Sequence, residues 1–242
     1  MLIDKEKCNG CEICHAYCPV GAITTIAGRD VSVSEILQGD CVECGVCLRS
    51  GICPTGAIFM PELKWPRSIR AEFSNPLVPH RSTKEGGRGT EEMKTNDVTG
   101  RFGWADIGVA IEMGRPGLGT TFREIQKVSM EIAKLGMKFE SHNPVTALMT
   151  NTETGVINEE VLDEKVLSAI IEFKIENSRL QAALKAIRSL AYKVNTVFLV
   201  GLISRHSKEA SIEIASIAKE VGCSVRPNGK INVGLGRPLR ED

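Results

Sequence analysis

Cys8, Cys11, Cys14 and Cys18 stand in the run CNGCEICHAYCP, and Cys41, Cys44, Cys47 and Cys53 in the run CVECGVCLRSGICP. Each run is C-x2-C-x2-C followed by C-P, so eight of the nine cysteines fall in the first 58 residues. A cubane iron–sulfur cluster takes four thiolates, one on each iron. Three cysteines two residues apart can wrap one face of the cube on a tight loop. The fourth must arrive from elsewhere in the chain. Zinc sites instead show C-x2-C pairs separated by a longer loop. A disulfide framework suits a small secreted domain. The repeated three-cysteine run favours iron–sulfur, with zinc and disulfides as the alternatives.

The two runs are near-copies. CPVGAI at Cys18 to Ile23 matches CPTGAI at Cys53 to Ile58. Pro19 and Pro54 lack a backbone N–H and fix φ, so each can end its loop sharply. One departure stands out. Five residues separate Cys47 from Cys53, against three between Cys14 and Cys18. Cys53 is therefore the ligand that departs from the repeat.

The doubled motif resembles the bacterial-type ferredoxin with two [4Fe-4S] clusters. That resemblance implies crossed ligation. Cys8, Cys11, Cys14 and Cys53 would hold one cluster, and Cys41, Cys44, Cys47 and Cys18 the other. It also implies a duplicated module over residues 1–62, with short paired strands and with Gly21 and Gly56 in turns. Ligation would replace the core that roughly sixty residues cannot otherwise build. The implied activity is low-potential single-electron transfer in anaerobic metabolism.

A chain of 242 residues has room for a further domain. Thirty basic and thirty acidic residues balance overall. Residues 1–62 hold eight acids and four bases, so the module is −4 and the remainder +4. An acidic carrier would be steered to a basic rim on its redox partner. Balanced charge gives no case for nucleic-acid binding. No apolar run approaches the ~18 residues needed to span a membrane. No signal peptide is read ahead of Cys8, and reduced thiolates suit the cytoplasm, which is the expected location.

Residues 63–104 read as an irregular connector or docking segment, punctuated by Pro66, Pro76 and Pro79. Gly86-Gly87-Arg88-Gly89 could cradle an anion, but it follows no clear strand, and a solvated loop is the preferred reading. Trp65, Phe73, Phe102 and Trp104 are candidate aromatic anchors for a partner.

Alternation at Ile107, Val109, Ile111 and Met113 predicts a strand. Thr121 and Glu124 suggest a capping box, ahead of a helix burying Phe122, Ile125, Val128, Ile132 and Leu135. A second strand is expected around Phe139 to Met149, interrupted by Asn143-Pro144, and a third over Ala169 to Ile175. Ser178 and Gln181 are expected to cap a second helix with Leu180, Leu184, Ile187 and Val194 inward. The apolar run Val197 to Ile203 predicts a fourth strand buried on both faces. Ser207 is expected to cap a further helix, and Cys223 to Val233, broken by Pro227-Asn228-Gly229, to form a fifth strand parallel to the fourth. The fold class is therefore α+β: a small duplicated iron–sulfur module, then a βαββαβ split sandwich with an extra helix and strand over residues 105–242. A segment starting near Arg101 is expected to fold without iron.

The turn GRPGLGTTFREIQ resembles an ACT domain or the related NIL type. That likeness implies a small-molecule ligand at the Pro116-Gly117 turn, although a plain turn is the simpler reading. Open sheet edges leave room for a homo-oligomer through the C-terminal sheet. Cys223 reads as a small apolar residue, His15 as facing water, and His80, His142 and His206 as structural or solvated. No paired carboxylates, nucleophile motif or Rossmann fingerprint occurs. The expected function is an electron carrier or the electron-entry subunit of an oxidoreductase complex, without substrate chemistry of its own. The alternative is a redox or metabolite sensor using the ACT-like domain.

Overall fold

Four short strands frame the cysteine loops: β1 (Leu2–Ile3), β2 (Ile23–Ile26), β3 (Val33–Ile36) and β4 (Ile58–Phe59). β1 pairs antiparallel with β4, and β2 with β3. The strand after each C-P-x-G-A segment begins at the equivalent residue, Ile23 or Ile58. Gly21 and Gly56, at equivalent places before those strands, have φ of 64° and 63°. That left-handed region is what glycine reaches without steric cost. The structure, a computed structural model, describes residues 1–28, 31–87, 102–115, 117–204 and 208–226, the side chains of 208–212 excepted.

The spacing difference between the two cysteine runs is absorbed locally. Cys14 lies on a 3-10 turn, Ile13–Tyr17, whereas Cys47 lies on a full helical turn, α1 (Val46–Arg49). The two extra residues of the second run lengthen the return from α1 to Cys53. The small core of this half includes Met1, Ala22, Ile23, Ile36 and Ile58, together with Cys14, Cys41 and Cys47 themselves.

The expected irregular stretch over 63–104 is corrected at one place. Ser68–Ser74 forms helix α2, buried along its length from Ile69 to Ser74. Ile69 and Phe73 lie four residues apart, on one face, and join the C-terminal core. Phe73 meets Phe122 edge to face at 5.0 Å between ring centroids. Prolines on both sides bound this helix to two turns, too short for a convincing periodic signal.

The C-terminal half contains β5 (Asp106–Met113), β6 (Thr120–Thr121), α3 (Phe122–Lys134), β7 (Lys138–Phe139), β8 (Met149–Asn151), β9 (Val156–Ile157), β10 (Lys165–Val166), β11 (Ala169–Glu176), α4 (Leu180–Leu190), β12 (Phe198–Ser204) and α5 (Lys208–Glu220). Its main sheet runs β12-β5-β11-β7 with every neighbour antiparallel. Ile107, Val109, Ile111 and Met113 of β5 share the core with Ala169, Ile171, Phe173 and Ile175 of β11. Phe122, Ile125, Val128 and Ile132 of α3, and Leu180, Leu184 and Ile187 of α4, complete it.

Several expectations need correction. Only Lys138–Phe139 of the second strand joins the main sheet. Asn143 diverts the chain: its side chain accepts the Val145 and Thr146 amides and donates to Ile170 O and Glu172. A polar side chain offering such bonds competes with the strand ladder. At α3, Thr121 accepts the Glu124 amide at 3.4 Å, but the Glu124 carboxylate turns to Lys127 and the Asn195 amide, so half of the capping box forms. Ser178 does not cap α4. Its hydroxyl meets Glu176, and the N-cap residue is Arg179. β12 is an edge strand of the described sheet and half-buried rather than buried.

Cys223–Arg226 is not strand, and the rest of the expected fifth strand lies outside the described residues. So do Arg88, Gly89, Pro116, His206 and Ser207. Among the described residues no helix is long and apolar enough to cross a membrane.

Candidate metal centre

Two cavities divide the eight cysteines four and four. Cys8, Cys11, Cys14 and Cys53 line the first. Cys18, Cys41, Cys44 and Cys47 line the second. Each cavity takes three cysteines from one run and the C-P cysteine of the other. Pairing of β1 with β4 carries Cys53 back to the first run, and the loop ending at β2 carries Cys18 to the second. The second wall is otherwise apolar, with Val20, Ile23, Ile36 and Val42, whereas the first sets Ile3, Ile13, Ile52 and Ile58 beside the polar Asn9, Glu12, Ser34 and Thr55. The thiols ring a space instead of a point. Among the described residues, no three His, Cys, Asp or Glu side chains gather as ligands of a single metal ion.

Backbone amides point at the sulfurs. Ser34 N donates to Cys8 Sγ at 3.4 Å, Ala22 N to Cys18 Sγ at 3.1 Å and Ala57 N to Cys53 Sγ at 3.3 Å. Amide bonds of this kind stabilise ligating thiolates. Ala22 and Ala57 occupy equivalent places in the repeat, so the same device serves both C-P cysteines. A donor set of four sulfurs around a space, with amides already aimed at them, fits a [4Fe-4S] cluster.

Comparison with known proteins agrees. A family model described as a 4Fe-4S binding domain matches residues 1–24. A protein described as an uncharacterized ferredoxin, from Methanocaldococcus jannaschii, is 31% identical over 64 residues, which is 26% of this chain and 80% of that protein. The chain belongs to the ferredoxin family. No solved structure matches it. Iron–sulfur electron transfer is its chemistry, and [4Fe-4S] is the cluster type that the family model carries.

The two sites of this ferredoxin differ in exposure. Cys11 is exposed and Cys8 and Cys53 are half-buried, whereas Cys41, Cys44 and Cys47 are all buried. Burial pushes the Cys14, Cys41 and Cys44 thiols up, and Cys47 up to about 11. Cys18 adds to the rise at Cys44 and Cys47, as a neighbouring thiolate would. At Cys53 burial also pushes upward. There the Thr55 hydroxyl and the Ala57, Thr55 and Ile58 amides outweigh it and hold the thiol below its ordinary range. Iron must displace these protons to bind.

Residues outside the cysteine motif complete the sites. Ser34 is buried, and its hydroxyl meets His15 Nε2 at 3.0 Å, so His15 is bound within the first loop and not simply turned to water. Near the second cavity, Glu43 is fully buried and pairs with the Met1 amino group and with Arg67. Arg49 Nη1 donates to Cys44 O at 2.7 Å and to Asn75 at 2.7 Å. Arg70 Nη1 donates to Cys41 O at 2.8 Å. Arg67 and Arg70 sit three apart on or beside α2, a spacing that the surrounding prolines obscure in the sequence.

The aromatic anchors also resolve differently. Phe73 and Phe102 are buried. Trp65 donates to Glu160 at 2.8 Å and lies under Arg81, and Trp104 is 61% exposed. His80 is buried against Phe73, and His142 is exposed beside Glu85. Cys223 is half-buried against the C-terminal core.

Proposed function

We propose that this ferredoxin carries two [4Fe-4S] clusters with crossed ligation and serves as a low-potential electron carrier or electron-entry subunit for an anaerobic oxidoreductase. One cluster would be held by Cys8, Cys11, Cys14 and Cys53, the other by Cys41, Cys44, Cys47 and Cys18. The observation that carries the reading is the lining of the two cavities, each with three thiols from one run and one from the other. When bound, the clusters supply one-electron steps at iron. The chain supplies the thiolates, the amides of Ser34, Ala22 and Ala57 that hold them, and apolar side chains in the walls that limit water.

The module 1–62 would receive electrons at its exposed first site, on the acidic half of the chain. For residues 105–204, the order β12-β5-β11-β7 with all neighbours antiparallel supports a split βαββαβ sandwich. Helix α2 shares that sandwich's core and also reaches the second cysteine loop, so the two halves are joined by packing as well as by chain.

Anaerobic iron and sulfide analysis tests this. About eight of each per chain are expected, with a spin-coupled paramagnetic signal from two nearby reduced clusters. Four irons, or zinc in place of iron, would overturn the two-cluster reading.

A further inference from the structure

Helix α2 ties a permanently charged side chain to the ligand loop of the second cavity. Arg70 is 6% exposed. Its Nη1 donates to the carbonyls of Cys41 at 2.8 Å, Gln38 at 3.0 Å and Gly39 at 3.2 Å. Its Nε pairs with Glu164. Glu164 is itself fixed in the C-terminal half: its carbonyl accepts the Phe122 amide at the start of α3, and its amide donates to Val161 O at 2.9 Å. A continuous line of contacts therefore runs from the first turn of α3, through the half-buried Glu164 and the buried Arg70, to a ligand loop of the second cavity. At the first cavity the loop is held differently, by Cys8 N on Asp4 O and by the Ser34 amide on Cys8 Sγ.

Reduction adds one negative charge to a cluster. A nearby cation stabilises that charge, and a nearby anion opposes it. Burial of Arg70 and partial burial of Glu164 leave these effects less screened than at an open surface. The guanidinium keeps its charge at any working pH and presents a planar fork that an ammonium cannot copy. Hydrogen bonds to the ligand loop and net charge are among the levers that set such potentials.

We infer that Arg70 is a positioning residue for the second cluster and that, held by Glu164, it raises that cluster's midpoint potential. The C-terminal half thereby tunes electron transfer in the module. The inference rests on the two-cluster reading. The electron is the one supplied by the redox partner, and no bond is made or broken.

The test is an anaerobic redox titration of the whole loaded chain, followed by electron paramagnetic resonance. A Cys44→Ser variant assigns the signals to the two clusters. Arg70→Gln should lower the midpoint of the second cluster and leave the first in place. Glu164→Gln removes the opposing anion and should raise the second midpoint. Arg70→Lys should recover part of the Arg70→Gln loss. Opposite shifts are not expected from mere loosening of the loop, which would move both variants the same way. Shifts of the same sign, equal shifts at both clusters, or no shift would overturn the proposal. Should Arg70→Gln fail to load iron, Glu164→Gln decides alone: an upward shift supports the proposal, and none or a downward one sinks it. A wild-type chain with about four irons in place of about eight would instead remove the two-cluster reading beneath it.

Discussion

Crossed ligation makes a quantitative demand on pairs of variants. Cys18 belongs by sequence to the first run, yet it lines the second cavity with Cys41, Cys44 and Cys47. Replacing Cys18 with Ala removes one of four thiolates there and leaves Cys8, Cys11, Cys14 and Cys53 around the first cavity intact. A cubane contributes four irons, so Cys18→Ala should fall from about eight irons per chain to about four. Cys44→Ala should do the same. The double variant Cys18→Ala/Cys44→Ala should lose nothing further, because both changes strike one cluster. Cys18→Ala/Cys11→Ala should strike both clusters and leave about zero irons. Non-additivity within a pair, and additivity between pairs, is the signature of shared and separate sites. The assay is iron and acid-labile sulfide per chain after anaerobic reconstitution, with visible absorption as a second measure. Local ligation makes the reverse forecast: Cys18→Ala/Cys11→Ala would keep about four irons and Cys18→Ala/Cys44→Ala would keep none. That outcome would refute the assignment whatever the total in the wild type.

Two further outcomes are expected. Phe73→Ala should destabilise the C-terminal core by about 3–5 kcal/mol, the usual cost of truncating a buried phenylalanine, because Phe73 is 5% exposed and packs on Phe122. Denaturant melts of the loaded chain would check it, and a loss under about 1 kcal/mol would mean that α2 is not part of that core. In the iron-free chain at pH 8, iodoacetamide should label Cys53 first and Cys47 last. The thiolate is the nucleophile, and a Cys47 thiol near 11 against an ordinary 9.0 has roughly a hundredth of the usual thiolate fraction. Raising the pH towards 11 should close the gap, since both thiols are then increasingly ionised. Equal labelling at pH 8 would show that the second cavity does not persist without iron.

The same packing bears on where the C-terminal half begins. A segment starting near Arg101 would lack Ile69 and Phe73, both buried in its core. Independent folding is therefore better sought in a segment that keeps α2.

The cysteine sets were legible in the sequence because ligation depends on residue type and on spacing over a few residues, and both are local. The strands β5 and β11 and the stripe of α3 were legible for a related reason. Alternation and 3.6-residue periodicity record which face is buried, and these elements are long enough to show it. Helix α2 was not, because seven residues between prolines carry too little periodicity, and its burial comes from contact with Phe122 far along the chain. The interruption at Asn143-Pro144 was legible, but the bonds that hold the turn were not, because the partners of the Asn143 side chain, Ile170 and Glu172, lie on a distant strand. β12 is half-buried at the edge of the described sheet, a place its sequence does not announce, because an apolar run is compatible with either a central or an edge strand. The charge around the second cavity was invisible for the most physical of these reasons. Arg49, Arg67, Arg70 and Glu43 look like ordinary surface residues in the sequence. Only the tertiary structure buries Glu43 and Arg70 and brings all four to the loop of Cys41 and Cys44.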